Sequence, residues 1–407
     1  MRARITDLRG ISRMAVDAVS GVVGLIEAVH VTIAKKTATL AGPLVGGVIE
    51  ATTSAVYKGI HQATRAIGAG LDRALNALEP ELRKLESSPL REAVVAAVNG
   101  VLGDHLAESG NSLAISMQLR RDGRPLLLTR EGIDAAVAAP RSKILVLVHG
   151  LCMNDLRWLR NGHDHGAALE RDLGFTALYL RYNSGLHVST NGRELTRLLD
   201  ELVAAWPVPV SDIVIIAHSM GGLIARSACH CASAASSAWL GRLHGIVFLG
   251  TPHGGVPLER VGHWLNLLWD KTVFTAPFAR LGKVRSAGIT DLRHGYVLDE
   301  DWQGRDRFAE DAGSRRPLAL PQGVECYAIA ATLARTEAPL REQWIGDGLV
   351  PVPSALGRDR DSELDLALPP AHQWTAYGAS HLDLLSRGDI YERILGWLAQ
   401  GAPAPSG

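Results

Sequence analysis

Four short apolar runs constrain this chain most: "KILVLVHG" (143–150), "TALYLRY" (176–182), "DIVIIAHS" (212–219) and "GIVFLGTP" (245–252). Helical patterns separate the first three, and a shorter Ala/Ser-rich helix separates the last two. A strand that is apolar on both faces must be covered on both faces. Such runs alternating with helices therefore predict a mostly parallel sheet between helical layers, the α/β class. A fifth run, "VECYAIAA" (324–331), follows much later. Upstream, "LAISMQLRRDGRPLLLTR" (113–130) holds two strand-like pieces around Arg-Asp-Gly, which is a hairpin signal.

The flanking regions differ from this centre. Residues 1–110 are rich in Ala, Val and Gly and read as helix. Val45, Val48, Ile49, Val56, Ile60, Ile67, Leu71, Leu75 and Leu78 recur at spacings of mostly three, four or seven, one apolar stripe on a helix surface. A second helix is predicted from Ser88 as N-cap, with Pro89 at the first position and Glu92 in the first turn. Its stripe is Leu90, Val94, Val98, Val101 and Leu102. Such stripes usually face a core, and a surface meeting lipid or a partner is the alternative. The main domain is expected over 111–400, after the helical region 1–110, with a tail at 401–407. An insertion over about 256–320 interrupts it, and Trp264, Leu265, Leu267, Leu268 and Trp269 make its start strongly apolar. A plain connection in this class takes a few residues, so the insertion reads as a helical cap over a pocket.

Composition narrows the partners. Lys+Arg and Asp+Glu both number 42, so no basic field exists to attract nucleic acid. The uncharged run 37–49 is shorter than the ~20 residues of a membrane-spanning helix. The basic start "MRARITDLRG" lacks a following apolar segment and a cleavage site, so no secretory signal is predicted. Cys152, Cys229, Cys231 and Cys326 read as reduced and buried, without a metal. A cytoplasmic location fits, with peripheral membrane contact through the N-terminal helices as the open alternative. Oligomeric state is not legible.

"AHSMGG" (217–222) carries the chemistry. A serine hydroxyl is a poor nucleophile until a base takes its proton. A sharp strand-to-helix turn can push such a serine out at the top of a sheet, and the crowding there requires small residues two before and two after it. Ala217 and Gly221 meet that requirement around Ser219, and Gly222 eases the helix against the strand. An attacking serine generates an oxyanion, which needs two N–H donors. Met220 supplies one, and Leu151, after His149-Gly150 at the first strand's end, supplies the other. An acid and a histidine should follow in that order. Asp347, in the Gly-flanked loop "WIGDGLV", is better placed than Asp291, Asp299, Asp301 or Asp311 in the insertion. His381 follows a short strand-like run, whereas His372 precedes it. His163 and His165, two apart with no third ligand in view, are weak evidence for a metal and read as a polar loop near the pocket mouth. Asn183, Ser184 and Asn191 either line the site or cap a helix. Cys152 reads as packing.

In order along the chain, "VHGLC", "AHSMGG", "LGTPHGG", "DGLVPVPSA" and "SHLDLL" resemble the α/β-hydrolases, and among them bacterial lipases and esterases. "FLGTPHGG" particularly resembles the GPI inositol-deacylase-like group. The resemblance covers about 112–400. It implies a Ser219–Asp347–His381 triad with Leu151 and Met220 as oxyanion donors, and no cofactor. Some related lipases bind calcium near the histidine loop; for Asp383 a local hydrogen bond is the better expectation. The expected function is a serine carboxylic-ester hydrolase acting on a small-molecule or lipid ester, with His253, Trp264 and Trp269 as substrate contacts. An acyltransferase using the same triad, or a membrane- or partner-binding protein with a secondary hydrolase domain, are the alternatives.

Overall fold

The structure is a computed structural model, and it describes residues 88–257, 260, 286–307, 315–336 and 346–400. The stripe from Val45 to Leu78, Trp264, Trp269 and the tail 401–407 lie outside the described residues. Each apolar run read from the sequence is a strand: β3 (Lys143–Val148), β4 (Thr176–Arg181), β5 (Asp212–His218), β6 (Leu243–Leu249) and β7 (Glu325–Thr332). The hairpin forms β1 (Gln118–Arg121) and β2 (Arg124–Pro125), and β8 (Gln373–Tyr377) completes the set. The order is β2-β1-β4-β3-β5-β6-β7-β8. β1 runs antiparallel to β2 and β4, and the remaining pairs are parallel.

The helices are α1 (Pro89–Glu108), α2 (Arg130–Ala136), α3 (His165–Leu173), α4 (Val188–Ala205), α5 (Met220–Ala235), α6 (Ala287–His294) and α7 (Gly388–Gln400). Between them run short helical turns, among them Asp299–Trp302 and Val352–Ala355. In β3, every residue after Lys143 is buried, and so is every residue of β5 after Asp212. That is why these strands read as unbroken apolar runs and not as alternations. Each such Val, Ile or Leu contributes about 1.5–3 kcal/mol by leaving water.

Register decides where the site forms. Val148 pairs with Ala217, Ala217 with Phe248, and Leu249 with Ile329. The residues that follow these strands therefore emerge along one edge of the sheet, its carboxyl edge, where open α/β sheets bind ligands. His149, Ser219 and Gly250 all start there.

The unit that contains the sheet begins at Glu92, so it takes in most of α1, which the sequence placed with the N-terminal region. Ser88 Oγ accepts from Arg91 N at 3.2 Å, the expected N-cap. From Val95 to Gly103 the helix is buried, beyond its predicted stripe, because small residues let neighbours approach from several sides. A buried arginine ties it to the sheet, and a second joins the same cluster. Arg181 of β4 pairs with both Asp155 and Glu92, and Arg120 Nε of β1 reaches Asp155 Oδ2 at 3.0 Å. Of the four cysteines, none is disulfide-bonded; Cys152, Cys229 and Cys326 are buried as expected, but Cys231 is partly exposed. It lies in the last turn of α5, which ends at Ala235 on the surface. Among the described residues no helix is long and apolar enough to cross a membrane, and no cluster of His, Cys, Asp and Glu could hold a metal.

Asp155 is almost fully buried and Glu92 shares Arg181 with it, so removing Arg181 leaves two carboxylates in the cluster with Arg120 as the remaining arginine. Arg181→Met is expected to cost about 3 kcal/mol of stability, read as a lower midpoint in denaturant unfolding; an unchanged midpoint would rule out a structural role for the cluster.

Candidate active site

Ser219 sits between β5 and α5 with φ 56° and ψ −126°. A non-glycine residue there carries strain of order 1–3 kcal/mol, which persists only where the surroundings over-determine it. Crowding is the cause. A Cβ at Gly221 would stand 2.5 Å from the carbonyl oxygen of Val148, and one at Gly150 would stand 2.9 Å from Ser219 Cβ. The turn is thus closed between β3's end and the first turn of α5. Ser219 Oγ is buried and has no hydrogen-bond partner among the described residues.

Met220 is the first residue of α5, so its N–H has no intrahelical acceptor. It lies at the positive end of the helix dipole. Across from it, the loop after β3 turns through Gly150, with Met153 N bonding to Gly150 O at 3.3 Å. Cys152 N–H is taken by Ser184 Oγ at 3.0 Å, which leaves the Leu151 amide as this loop's candidate donor. Leu151 and Met220 are both buried.

Asp347 and His381 meet as the sequence order suggested. His381 Nδ1 donates to Asp347 Oδ2 at 2.6 Å, and the His381 amide donates to Asp347 O at 3.2 Å. With Nδ1 protonated, Nε2 is the basic nitrogen. Asp347 Oδ1 accepts from the amides of Leu349 (2.9 Å) and Val350 (2.8 Å), so the carboxylate cannot rotate away. The flanking Gly346 and Gly348 have φ 58° and 96°, and the loop needs those left-handed turns to fold Asp347 back onto its own amides. Neither Asp291 nor His372 joins this group: Asp291 binds His187 Nδ1 at 3.0 Å, and His372 Nδ1 donates to Cys326 O at 3.1 Å.

Two further histidines hold the His381 loop; the sequence reading gave His218 no role and set His165 in a polar loop near the pocket mouth. His218 Nε2 lies 3.1 Å from His381 O, and the rings are 4.6 Å apart. A carbonyl can only accept, so Nε2 carries the proton. His165 Nε2 donates in the same way to Leu384 O at 3.0 Å, and its Nδ1 accepts from His163 Nε2 at 2.9 Å. The 163–165 segment is therefore not a polar loop at a pocket mouth. Asp164 caps α3 through Gly166 N (2.7 Å), and this turns His165 inward. A lone polar pattern cannot reveal that, because the partner carbonyl lies 219 residues away. Asp383 accepts from Ser380 N (2.9 Å) and Ser380 Oγ (2.7 Å), the expected local bond. Asn183 and Ser184 serve neighbouring backbone: Asn183 Nδ2 donates to Gly103 O at 2.8 Å. His253 is buried, with Nδ1 3.4 Å from Arg226 Nη1 and its ring edge-on to Phe248. Burial lowers Arg226 to about 10.

Burial depresses His149 and His165 to about 4, and His218 and His253 well below their ordinary value. All four are neutral in the fold and gain a proton on unfolding below about pH 6.5. The unfolded chain then binds more protons, so stability is complete above about pH 6.5 and falls as pH drops toward 4. Thermal melts are expected to lose midpoint steadily between pH 6.5 and 4.5. His165→Gln, which keeps a donor near Leu384 O, is expected to flatten that slope by about one proton. An unchanged slope would mean that His165 titrates normally.

Residues 145–315 match the PGAP1-like alpha/beta domain. No curated protein matches the sequence significantly. Among solved structures, the chain is similar to lipase BlEst2 from Bacillus licheniformis in mature form, at 15% identity and TM-score 0.39, covering 64% of this chain and 94% of that one. It is similar to a lipase-esterase related protein from Clostridium acetobutylicum at 12% identity and TM-score 0.35, covering 64% and 95%. A thermophilic esterase from Thermogutta terrifontis gives 14% identity and TM-score 0.36, covering 65% and 92%. The mostly parallel eight-stranded sheet, with Ser219 at the strand-to-helix turn after β5, has the α/β-hydrolase fold, and the chain resembles the PGAP1-like alpha/beta domain over residues 145–315.

Proposed function

We propose that the protein is a serine carboxylic-ester hydrolase. The observation that carries this reading is the 2.6 Å hydrogen bond from His381 Nδ1 to Asp347 Oδ2, on a loop whose His381 carbonyl is bound by the residue preceding Ser219. Ser219 Oγ attacks the ester carbonyl carbon while His381 Nε2 takes its proton. The carbonyl oxygen becomes an oxyanion, held by the Leu151 and Met220 amides. As the tetrahedral intermediate collapses, the C–O bond to the alcohol breaks and His381 returns the proton to that alcohol. Water, deprotonated by His381, then cleaves the acyl-enzyme. Asp347 keeps the imidazole in its Nδ1–H tautomer and stabilises the cation. Ser219 Oγ has no hydrogen-bond partner among the described residues, and catalytic contacts of this kind tighten in the reacting complex.

The substrate is an ester with a hydrophobic acyl group. The apolar sequence around Trp264 and Trp269 supports that choice, as does the buried setting of Ser219, which favours groups that leave water readily.

Hydrolysis of a p-nitrophenyl ester series from acetate to palmitate tests the reading. Wild type is expected to turn over, with an optimum beyond acetate, and Ser219→Ala to lose at least three orders of magnitude. Silence of wild type on every chain length, or equal rates in the two proteins, would overturn it. Asp347→Asn leaves the geometry but not the tautomer and is expected to lower kcat about 10³–10⁴-fold. A loss below tenfold would remove Asp347 from the triad. Products formed with an added alcohol separate hydrolysis from acyl transfer.

A further inference from the structure

Helix α1 lies outside the segment matched by the domain family, yet it touches the loop that carries the proposed Leu151 donor. Gly100, in the middle of α1, faces Cys152. A Cβ there would stand 3.0 Å from both the Cα and the N of Cys152, and closer still to its Sγ. Glycine in a helix interior is locally unfavourable, so its presence marks a close approach. Cys152 in turn has φ 59°, a conformation that a non-glycine side chain adopts only when its surroundings impose it. The thiol is buried, uncharged because burial raises its pKa, and 3.8 Å from the carbonyl of Ala97, one turn earlier on α1.

The contact is not isolated. Ser184 Oγ, which holds Cys152 N–H, belongs to a loop that α1 also seats. Asn183 Nδ2 donates to Gly103 O at 2.8 Å, and a Cβ at Gly185 would collide with Asn99 O. On its other flank, α1 receives Ser286 Oγ at Gly100 O (2.7 Å) and the Ala287 amide at Asp104 Oδ2 (3.0 Å). Those two residues open α6, and at Gly288 that helix approaches both Ser184 O and Met220 Cε. One helix thus contacts the loop behind one proposed donor and the start of the helix that packs near the side chain of the residue bearing the other.

We propose that α1 positions the oxyanion site: Gly100 seats Cys152, and Cys152 sets the direction of the Leu151 amide. This inference rests on the reading of Ser219 as nucleophile and of Leu151 as a donor. Gly100 is a positioning residue, since it acts through Cys152 and touches no reacting atom. A shift of about 1 Å in a transition-state contact can cost about 10²-fold in rate. The cost falls on kcat, because the oxyanion exists only in the transition state and the intermediate.

The test uses the full chain, a p-nitrophenyl ester that wild type hydrolyses, and a fluorophosphonate that titrates reactive Ser219. Gly100→Ala is expected to lower kcat per titrated site at least tenfold with KM within twofold of wild type. Adding Cys152→Ala removes the colliding Sγ and is expected to restore part of that kcat. Cys152→Ala alone, which keeps α1 intact, is expected to lower kcat severalfold at unchanged KM, so the inference stays testable if Gly100→Ala does not fold. Wild-type kcat per titrated site in the folded variants would overturn the inference, even if their melting points drop, because that is a structural role alone. No recovery in the double variant would overturn it too. A wild type that neither labels at Ser219 nor turns over would instead defeat the triad reading, and this inference with it.

Discussion

Everything at the site depends on the backbone of Ser219. A serine at φ 56° is held there by backbone on every side: Val148 and His149 carbonyls over Gly221, and Gly150 against its own Cβ. The strain is local, but its support is the whole sheet. β3 and β5 pair from Lys143–Asp212 to Val148–Ala217, and this register sets the loop after β3 beside the turn after β5. A slip of one residue would reverse every side chain and separate the proposed donors from the nucleophile.

The proposed acid and base come from elsewhere and are held by different means. Asp347 is fixed by two amides of its own loop and by His381, so it needs little help from the sheet. His381 lies on an irregular segment and is held from outside. His218 binds its carbonyl, and His165 binds the carbonyl of Leu384 three residues on. Both histidines act as neutral donors, a state that burial enforces. The same burial that orders the loop therefore makes the fold sensitive to acid. Stability at low pH and placement of the base are two consequences of one desolvation.

Much of this was legible in the sequence. Strand runs, the hairpin and the small residues around Ser219 announce themselves through local pattern, because they answer to local sterics or to burial on both faces. Asp347 and His381 were paired in the sequence by chain order and by their loops, and their side chains are hydrogen-bonded in the structure. His165 was misread because its role is a bond to a carbonyl 219 residues away, and no local pattern encodes that distance. The helix at 89–108 was expected, along with its cap, but its stripe understated its burial. Hydropathy periodicity counts large apolar side chains, and α1 is buried through Ala96, Ala97, Gly100 and Gly103, which carry little hydropathy signal and are chosen for closeness.

The sequence by itself determined the layered α/β class, the tight turn at Ser219 and the chain order of the proposed acid and base, since each rests on residue size and spacing along the chain. Only the tertiary structure decided which carbonyls the buried histidines bind, that Asp155 joins Arg120 and Arg181, and that α1 backs the loop after β3. Those are contacts between segments tens to hundreds of residues apart. They exist because strand register brings the segments together, and a single sequence carries no direct record of that register.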